Sequence, residues 1–212
     1  MFPRDARIYP ITDVRLSGLS HAEQTRRLIE GGAAIIQLRE KHQPAREFFR
    51  QAVEALTIAR ERGVKLIIND RVDIALASDA DGVHLGQDDL SPAAARRILG
   101  PEKLIGFSTH NLQQALDATQ MPIDYLAIGP IFSTSSKTDA HSLVGLDNLR
   151  EIRKAVGKIP VVAIGGIDEG NAPEVIRAGA DCIAAIGALL KHPNEIASRT
   201  RNLLMTIQSG PP

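Results

Sequence analysis

The stretch IINDRVDIALASDADGVHLGQDDL, residues 67–90, contains two short apolar runs, and each run ends in acidic and amide side chains. Each run is typical of a buried strand, and neighbouring strands of a parallel sheet lie about 4.8 Å apart. If the two strands pair, Asp70 and Asp89 emerge side by side at one edge of the sheet. Two carboxylates with room for water suit a hard cation such as Mg²⁺. Alternatively, each aspartate is the N-cap of a helix in an ordinary loop.

The same unit, an apolar run followed by a helical pattern, recurs along the chain at a period of roughly 20–30 residues. The apolar runs show little polar alternation, which implies burial on both faces, as in parallel sheets. Eight such units predict the α/β class and a single (β/α)₈ TIM barrel over residues 1–212, with a core at about 7–206 and a frayed tail at 207–212. A flavodoxin-like open sheet is the alternative, but that fold usually needs fewer strands.

Two of the helices can be placed in more detail. Pro44 opens a helix on which Phe49, Val53 and Leu56 repeat on one face, so this face is expected to be buried. The last helix is expected over roughly 188–205.

Composition excludes several classes of function. The 25 Lys and Arg residues balance 25 Asp and Glu residues, and tryptophan is absent, so a nucleic-acid partner is not expected. The single cysteine, Cys182, cannot form an internal disulfide, which fits a reducing compartment. No apolar stretch is long enough for a signal peptide or a membrane span, so the expected location is cytoplasmic, without membrane contact. A homodimer is a possible assembly.

In barrel enzymes the active site lies at the carboxyl ends of the strands, which form the mouth of the barrel. Here those ends are mostly polar. Arg39, Lys41 and Lys137, placed around one mouth with Asp70 and Asp89, would surround a metal-bound diphosphate. Taken alone, the arginine and lysine at 39 and 41 could equally be surface charges in exposed ion pairs.

A second predicted site is rich in glycine and lies after the last two strands, where this fold usually binds phosphate. Gly166 and Gly187 would let backbone N–H groups approach an anion, and the hydroxyls of Thr134 and Ser136 could complete the site. The alternatives are a simple tight turn at Gly165 and Gly166 and a loop without a ligand at 132–145, which is also the best candidate for a lid.

Other reactive side chains give weaker signals. His84 alternates inward among apolar residues, which is typical of a satisfied core histidine, and His110 is expected just past a strand. Ser108 lacks the context of a nucleophile elbow, and no histidine and cysteine cluster has zinc spacing.

The chain contains five further patterns in order: QLREK at 37–41, IND at 68–70, HLGQDD at 84–89, GPIF at 129–132 running on to Lys137, and AIGGI at 163–167. Together these motifs resemble those of the thiamine-phosphate synthase family over about residues 8–190. The resemblance implies that a pyrimidine diphosphate and a (carboxy)hydroxyethylthiazole phosphate condense, with Mg²⁺, to thiamine phosphate and pyrophosphate. It implies small phosphorylated substrates and a dissociative substitution.

The resemblance also implies a role for individual residues. Asp70 and Asp89 match the Mg²⁺ ligands. The pyrimidine diphosphate would contact Gln37, Leu38, Arg39, Glu40, Lys41, Asn69, Ser108 and Lys137, of which Arg39, Lys41, Ser108 and Lys137 would be catalytic. The thiazole phosphate would contact Thr134, Ser135, Ser136, Gly166, Ile186 and Gly187.

The sequence departs from the family pattern at two positions, since Ser136 stands where threonine is usual and Gly187 where serine is usual. The second change removes a hydroxyl from the expected thiazole-phosphate site. Two other functions are therefore considered. A related thiazole tautomerase would use His110 as acid and base but would not need Asn69, Asp70, Asp89 and Lys137 together. The other alternative function is a catalytically silent barrel that binds a thiamine precursor.

Overall fold

Eight parallel strands form a closed barrel in chain order, because each strand pairs with the next and the last strand returns to the first. The computed structural model describes residues 1–3, 5–133 and 142–208. The predicted (β/α)₈ fold is confirmed, and the open-sheet alternative is wrong, since an open sheet would leave its two edge strands unpaired. The strands are β1 (Ile8–Thr12), β2 (Ile35–Leu38), β3 (Lys65–Asn69), β4 (Gly82–Leu85), β5 (Leu104–Thr109), β6 (Tyr125–Ile128), β7 (Val161–Ile164) and β8 (Cys182–Ala185).

Helices connect the strands and pack on the outside of the barrel. Ser20, Ser91 and Asn111 cap three of them, each accepting a hydrogen bond from the backbone N–H three residues later. Across the described ranges, no helix combines the length and the apolar character needed to cross a bilayer. The helices are α1 (Val14–Ser17), α2 (His21–Glu30), α3 (Ala45–Glu61), α4 (Val72–Ser78), α5 (Pro92–Leu99), α6 (Leu112–Ala118), α7 (Gly145–Ala155), α8 (Ala172–Arg177), α9 (Gly187–Leu190) and α10 (Ile196–Gln208).

The buried side chains form two apolar cores. One fills the interior of the barrel and includes Tyr9, Ile67 and Tyr125. The other lies between the strands and the helices and includes Ile68 and Leu28. Ile67 and Ile68 are neighbours in sequence but belong to different cores, because successive side chains of a strand point to opposite faces. Both faces of the strands are thus buried, which explains their continuous apolar sequences.

Three aspartates tie strands together at the end of the barrel opposite the mouth. Each directly precedes one strand and accepts a hydrogen bond from a backbone N–H near the start of the preceding strand. Each also pairs with a cation, so these ion pairs hold strand ends rather than a ligand. The pairs are Asp81 with Lys65, Asp124 with Arg96, and Asp181 with Arg153.

Two helix predictions need correction. Leu56 lies on the buried face of α3 as predicted and Phe49 is partly buried, but Val53 is 40% exposed and Phe48 is buried instead. Small alanines such as Ala52 line the buried face and let the helix approach the barrel closely. The last predicted helix is interrupted by a 3₁₀ turn over Pro193–Glu195, because a proline inside a helix lacks the N–H and clashes with the preceding turn.

Candidate active site

Two carboxyl groups meet at the carboxyl ends of β3 and β4. The backbone N–H of Asp70 donates to the carbonyl of His84 at 2.8 Å, which continues the pairing of the two strands by one residue. Asp70 adopts a φ of 60°, a conformation that costs energy for a residue with a side chain. Asp89 accepts a hydrogen bond from Gly86 N–H at 2.7 Å. The Asp89 carboxyl lies close enough to the Asp70 carboxyl to raise its pKa, so the two strand ends bring the predicted pair together.

Lys41, which follows β2, donates a hydrogen bond to the Asp70 carboxylate. Burial raises the pKa of the Asp70 carboxyl, Lys41 opposes this effect, and Asp89 adds to it. Neighbouring carboxylates repel one another, so a cation beside them favours the ionised pair. Among the described residues, no third acidic, histidine or cysteine side chain joins them in a metal-binding group.

Arg39 is held on two sides by residues of the β1 end. Its guanidinium pairs with Asp13 at 3.0 Å, and its backbone N–H donates to the hydroxyl of Thr12 at 3.3 Å. Both charged side chains are about one-fifth exposed, so this pair is partly desolvated. The arginine is therefore oriented at the mouth before any anion arrives.

Glu40 does not point into the mouth. Its carboxylate accepts hydrogen bonds from the backbone N–H groups of His42 and Gln43, at 2.7 and 3.1 Å, and its other oxygen lies 3.5 Å from Nε2 of buried His21. These contacts fix the turn that follows β2. Because that turn carries Lys41, Glu40 and His21 hold the lysine in place.

Two adjoining cavities open at the mouth. The smaller, of about 70 Å³, is lined by residues of all eight strands and their carboxyl ends. The larger, of about 890 Å³, is lined mainly by the ends of β5 to β8 and the loops that follow them. Ser108, Ile164 and Ile186 line both, so a molecule in one cavity can contact a molecule in the other.

Two consecutive glycines shape the larger cavity. Gly165 and Gly166 have positive φ values of 107° and 64°. A Cβ on Gly165 would lie 2.6 Å from Pro130, and one on Gly166 would lie 2.5 Å from the carbonyl oxygen of Ser133. Only glycine therefore allows the chain after β6 to pass this close to the end of β7. Asn171 donates to the Gly166 carbonyl at 2.9 Å and holds this turn.

The structure brings most of the predicted site residues together. The small cavity is lined by Gln37, Arg39, Lys41, Asn69, Asp70 and Ser108, and the large one by Gly166, Ile186, Gly187 and again Ser108. Thr134, Ser135, Ser136 and Lys137 lie outside the described residues.

Two residues predicted to contact the substrate turn their side chains away from the mouth. The side chain of Leu38 is fully buried in the core between strands and helices, because it alternates with the inward-facing Gln37. Only the backbone of Leu38 can contact a ligand at the mouth of the barrel. Glu40, as described, turns its carboxylate to the backbone of its own loop.

Several polar residues below the mouth were not predicted. Tyr9 and Tyr125 meet inside the barrel with their hydroxyl oxygens 2.8 Å apart. Alternation along β1 could have placed Tyr9 inside, where a phenol needs a hydrogen-bond partner. His84 is buried and hydrogen-bonded, as expected of a core histidine, and it also lines the small cavity.

Comparison with known proteins agrees with this geometry. The family model for thiamine monophosphate synthase matches residues 8–189. A thiamine-phosphate synthase from Chloroflexus aurantiacus is 50% identical over 94% of this chain and 91% of its own length. One from Syntrophomonas wolfei is 47% identical over 90% of this chain and 91% of its own.

A solved structure of thiamine phosphate pyrophosphorylase from Pyrococcus furiosus superposes with a TM-score of 0.88. It is 39% identical, and the match covers 97% of each chain. The motifs, the closed barrel and these matches over nearly the whole chain lead to one conclusion: the chain belongs to the thiamine monophosphate synthase family.

Proposed function

We propose that this protein is a thiamine-phosphate synthase that joins a pyrimidine diphosphate to a thiazole phosphate and releases pyrophosphate. The observation that carries the proposal is the cluster of Lys41, Asp70 and Asp89 at the mouth, beside a cavity with a glycine-lined end. Opposite charges of this kind suit a diphosphate and its cation. The names of the curated relatives support the same reaction.

The donor set fits Mg²⁺. Asp70 and Asp89 would hold it, and substrate oxygens and water would supply the other ligands, since Mg²⁺ usually binds through one or two carboxylates plus phosphates. When bound, the metal would neutralise charge on the diphosphate oxygens. The contact between the two carboxyl groups supports a cation here, because burial and mutual repulsion disfavour an anionic pair on its own.

The leaving pyrophosphate needs further positive charge, and this chain supplies it from one segment. Arg39 and Lys41 of that segment would bind the diphosphate. Lys137, which lies outside the described residues, is the third predicted cation. The amine of the pyrimidine ring stabilises the carbocation that remains. The protein then has to neutralise the leaving group and hold the thiazole nitrogen in line, with no protein nucleophile.

The thiazole phosphate would occupy the larger cavity. Gly166, Ile186 and Gly187 line it, and this chain offers backbone N–H groups there in place of a serine hydroxyl at 187. Because Ser108 lines both cavities, the reacting atoms of the two substrates would meet beside it. The homodimer and the cytoplasmic location remain predictions from the sequence.

The tautomerase is the second candidate, because His110 lines the large cavity and its Nδ1 lies 2.6 Å from the carbonyl oxygen of Gly129. Product analysis separates the candidates. We expect the purified protein to form thiamine phosphate only when both substrates are present. Interconversion of thiazole-phosphate tautomers without condensation would assign the tautomerase instead, and binding of a precursor with neither reaction would assign the silent barrel.

A further inference from the structure

A continuous series of hydrogen bonds crosses the inside of the barrel directly below the small cavity. It runs from Gln37 Nε2 to the Tyr9 hydroxyl at 3.1 Å, to the Tyr125 hydroxyl at 2.8 Å, to His84 Nδ1 at 3.0 Å, and from His84 Nε2 to Ser108 Oγ at 2.9 Å. We call these five residues the lumen chain. Its two ends, Gln37 and Ser108, are both predicted to contact the pyrimidine diphosphate.

The space for this chain is built into the barrel. A Cβ on Gly106 would lie 2.0 Å from Cζ of Tyr125 and 2.5 Å from Nδ1 of His84, so no other residue at 106 leaves this contact intact. The ring of Phe2 packs against both tyrosines, at centroid distances of 6.3 Å from Tyr9 and 4.8 Å from Tyr125.

Each tyrosine hydroxyl of the lumen chain carries one proton to donate. Tyr9 and Tyr125 are 1% and 0% exposed, and burial raises the pKa of both phenols. Both hydroxyls therefore stay protonated in the pH range in which enzymes work. Each can accept from one neighbour and must donate to another.

These rules fix the direction of hydrogen-bond donation along the lumen chain. The amide nitrogen of Gln37 can only donate, so the Tyr9 oxygen accepts and the Tyr9 proton goes to Tyr125. Tyr125 in turn donates to His84 Nδ1, which must then be unprotonated. The imidazole proton consequently lies on Nε2 and points to Ser108 Oγ.

We infer that the lumen chain holds His84 as the Nε2–H tautomer and makes Ser108 a hydrogen-bond donor to the substrate. The inference rests on the proposed function for the identity of the acceptor, an oxygen or nitrogen atom of the pyrimidine diphosphate. Ser108 and His84, 2.9 Å apart, resemble a nucleophile with its base, but their hydrogen bond runs in the opposite direction. Tyr9, Tyr125 and His84 are positioning residues that act through Ser108.

The direct test is ¹⁵N NMR of the imidazole nitrogens in the protein without substrates at neutral pH, with His84 assigned by its loss in His84→Asn. We expect a protonated Nε2 and an unprotonated Nδ1. A protonated Nδ1 would overturn the inference, since the chain would then run towards Gln37. This readout involves no turnover, so it is independent of whether the proposed reaction is correct.

Two variants test the source of the tautomer. Tyr125→Phe removes the donor to Nδ1, and we expect an Nδ1–H population to appear and KM for the pyrimidine diphosphate to rise about three- to tenfold, with a smaller change in kcat. Cys182→Ala is the matched control, because Cys182 is buried in the same interior core but lies outside the chain. An unchanged tautomer in Tyr125→Phe, or the same change in Cys182→Ala, would contradict the role of the chain.

Ser108→Ala separates a donor from a nucleophile. Loss of one oriented donor is expected to lower turnover by about 10²- to 10³-fold at most. A loss near 10⁶-fold, as for removal of a catalytic nucleophile, would overturn the assignment of Ser108 as a donor. Retained circular dichroism and melting temperature would establish that the variant is folded.

Discussion

Lys41 donates a hydrogen bond to the Asp70 carboxylate across the mouth of the barrel, from the end of β2 to the end of β3. The lysine side chain is 45% exposed and the aspartate side chain 19%, so the pair spans the boundary between solvent and the small cavity. An exposed pair of this kind contributes little to stability, about 0–1 kcal/mol. We therefore predict that the pair serves ligand binding rather than folding.

Replacement of Lys41 by alanine should separate these two roles. We expect turnover to fall by about 10²- to 10³-fold, because the variant loses a cation that faces the leaving diphosphate. The melting temperature should change little. Steady-state kinetics and thermal unfolding measure the two effects.

Lys65→Ala is the matched control for Lys41→Ala, since Lys65 pairs with Asp81 at 2.7 Å at the opposite end of the barrel. It should leave turnover nearly unchanged. If Lys41→Ala unfolds the protein, or if both variants lose activity equally, Lys41 has a structural role instead.

Gly106→Ala should destabilise the barrel. The added methyl group would overlap Tyr125 and His84, and overpacking of a core costs about 1–3 kcal/mol. Gly170→Ala is the control, because the nearest neighbour of its Cβ would be a flexible aspartate oxygen at 3.3 Å. Chemical denaturation of both variants gives the difference, and equal stability of the two would show that the interior is less tightly packed than described.

The pH dependence of stability should report on His21. Burial lowers the pKa of the His21 imidazole, although Glu40 and Asp13 partly oppose this effect. In the unfolded chain the group titrates near 6.5, so the unfolded state binds more protons below that pH. The contribution of neutral His21 is therefore present above about pH 6.5 and is lost as the pH falls towards its value in the folded protein.

His21→Gln should consequently flatten the decrease in melting temperature between about pH 7 and pH 5. His192→Gln serves as control, because His192 is exposed. An equally steep decrease in wild type and His21→Gln would show that His21 does not titrate differently in the folded state.

The barrel and much of its mouth could be predicted from the sequence because both depend on local order. Apolar runs identify strands, and polar residues directly after them mark one edge of a parallel sheet, which placed Asp70 beside Asp89. Ser20, Ser91 and Asn111 likewise cap helices through neighbours in sequence.

The contacts that could not be predicted join residues far apart in sequence. Tyr9 and Tyr125 are 116 residues apart, and their hydrogen bond depends on the closure and register of the whole barrel. The pairing of Arg39 with Asp13 depends in the same way on β1 lying beside β2. The alternation of side chains along β2 predicts that Leu38 is buried. The residue was nevertheless assigned to the substrate site because it belongs to the QLREK motif.

Pyrophosphate release as a function of Mg²⁺ concentration, in wild type, Asp89→Asn and Asp88→Asn, tests the central claim most directly. Asp88 is an exposed carboxylate next to Asp89 and provides the matched control. We expect release to require the thiazole phosphate, to stop with chelator, and to need much more Mg²⁺ in Asp89→Asn but not in Asp88→Asn. Release that is insensitive to chelator, or the same Mg²⁺ dependence in all three proteins, would contradict a metal and diphosphate site at Asp70 and Asp89.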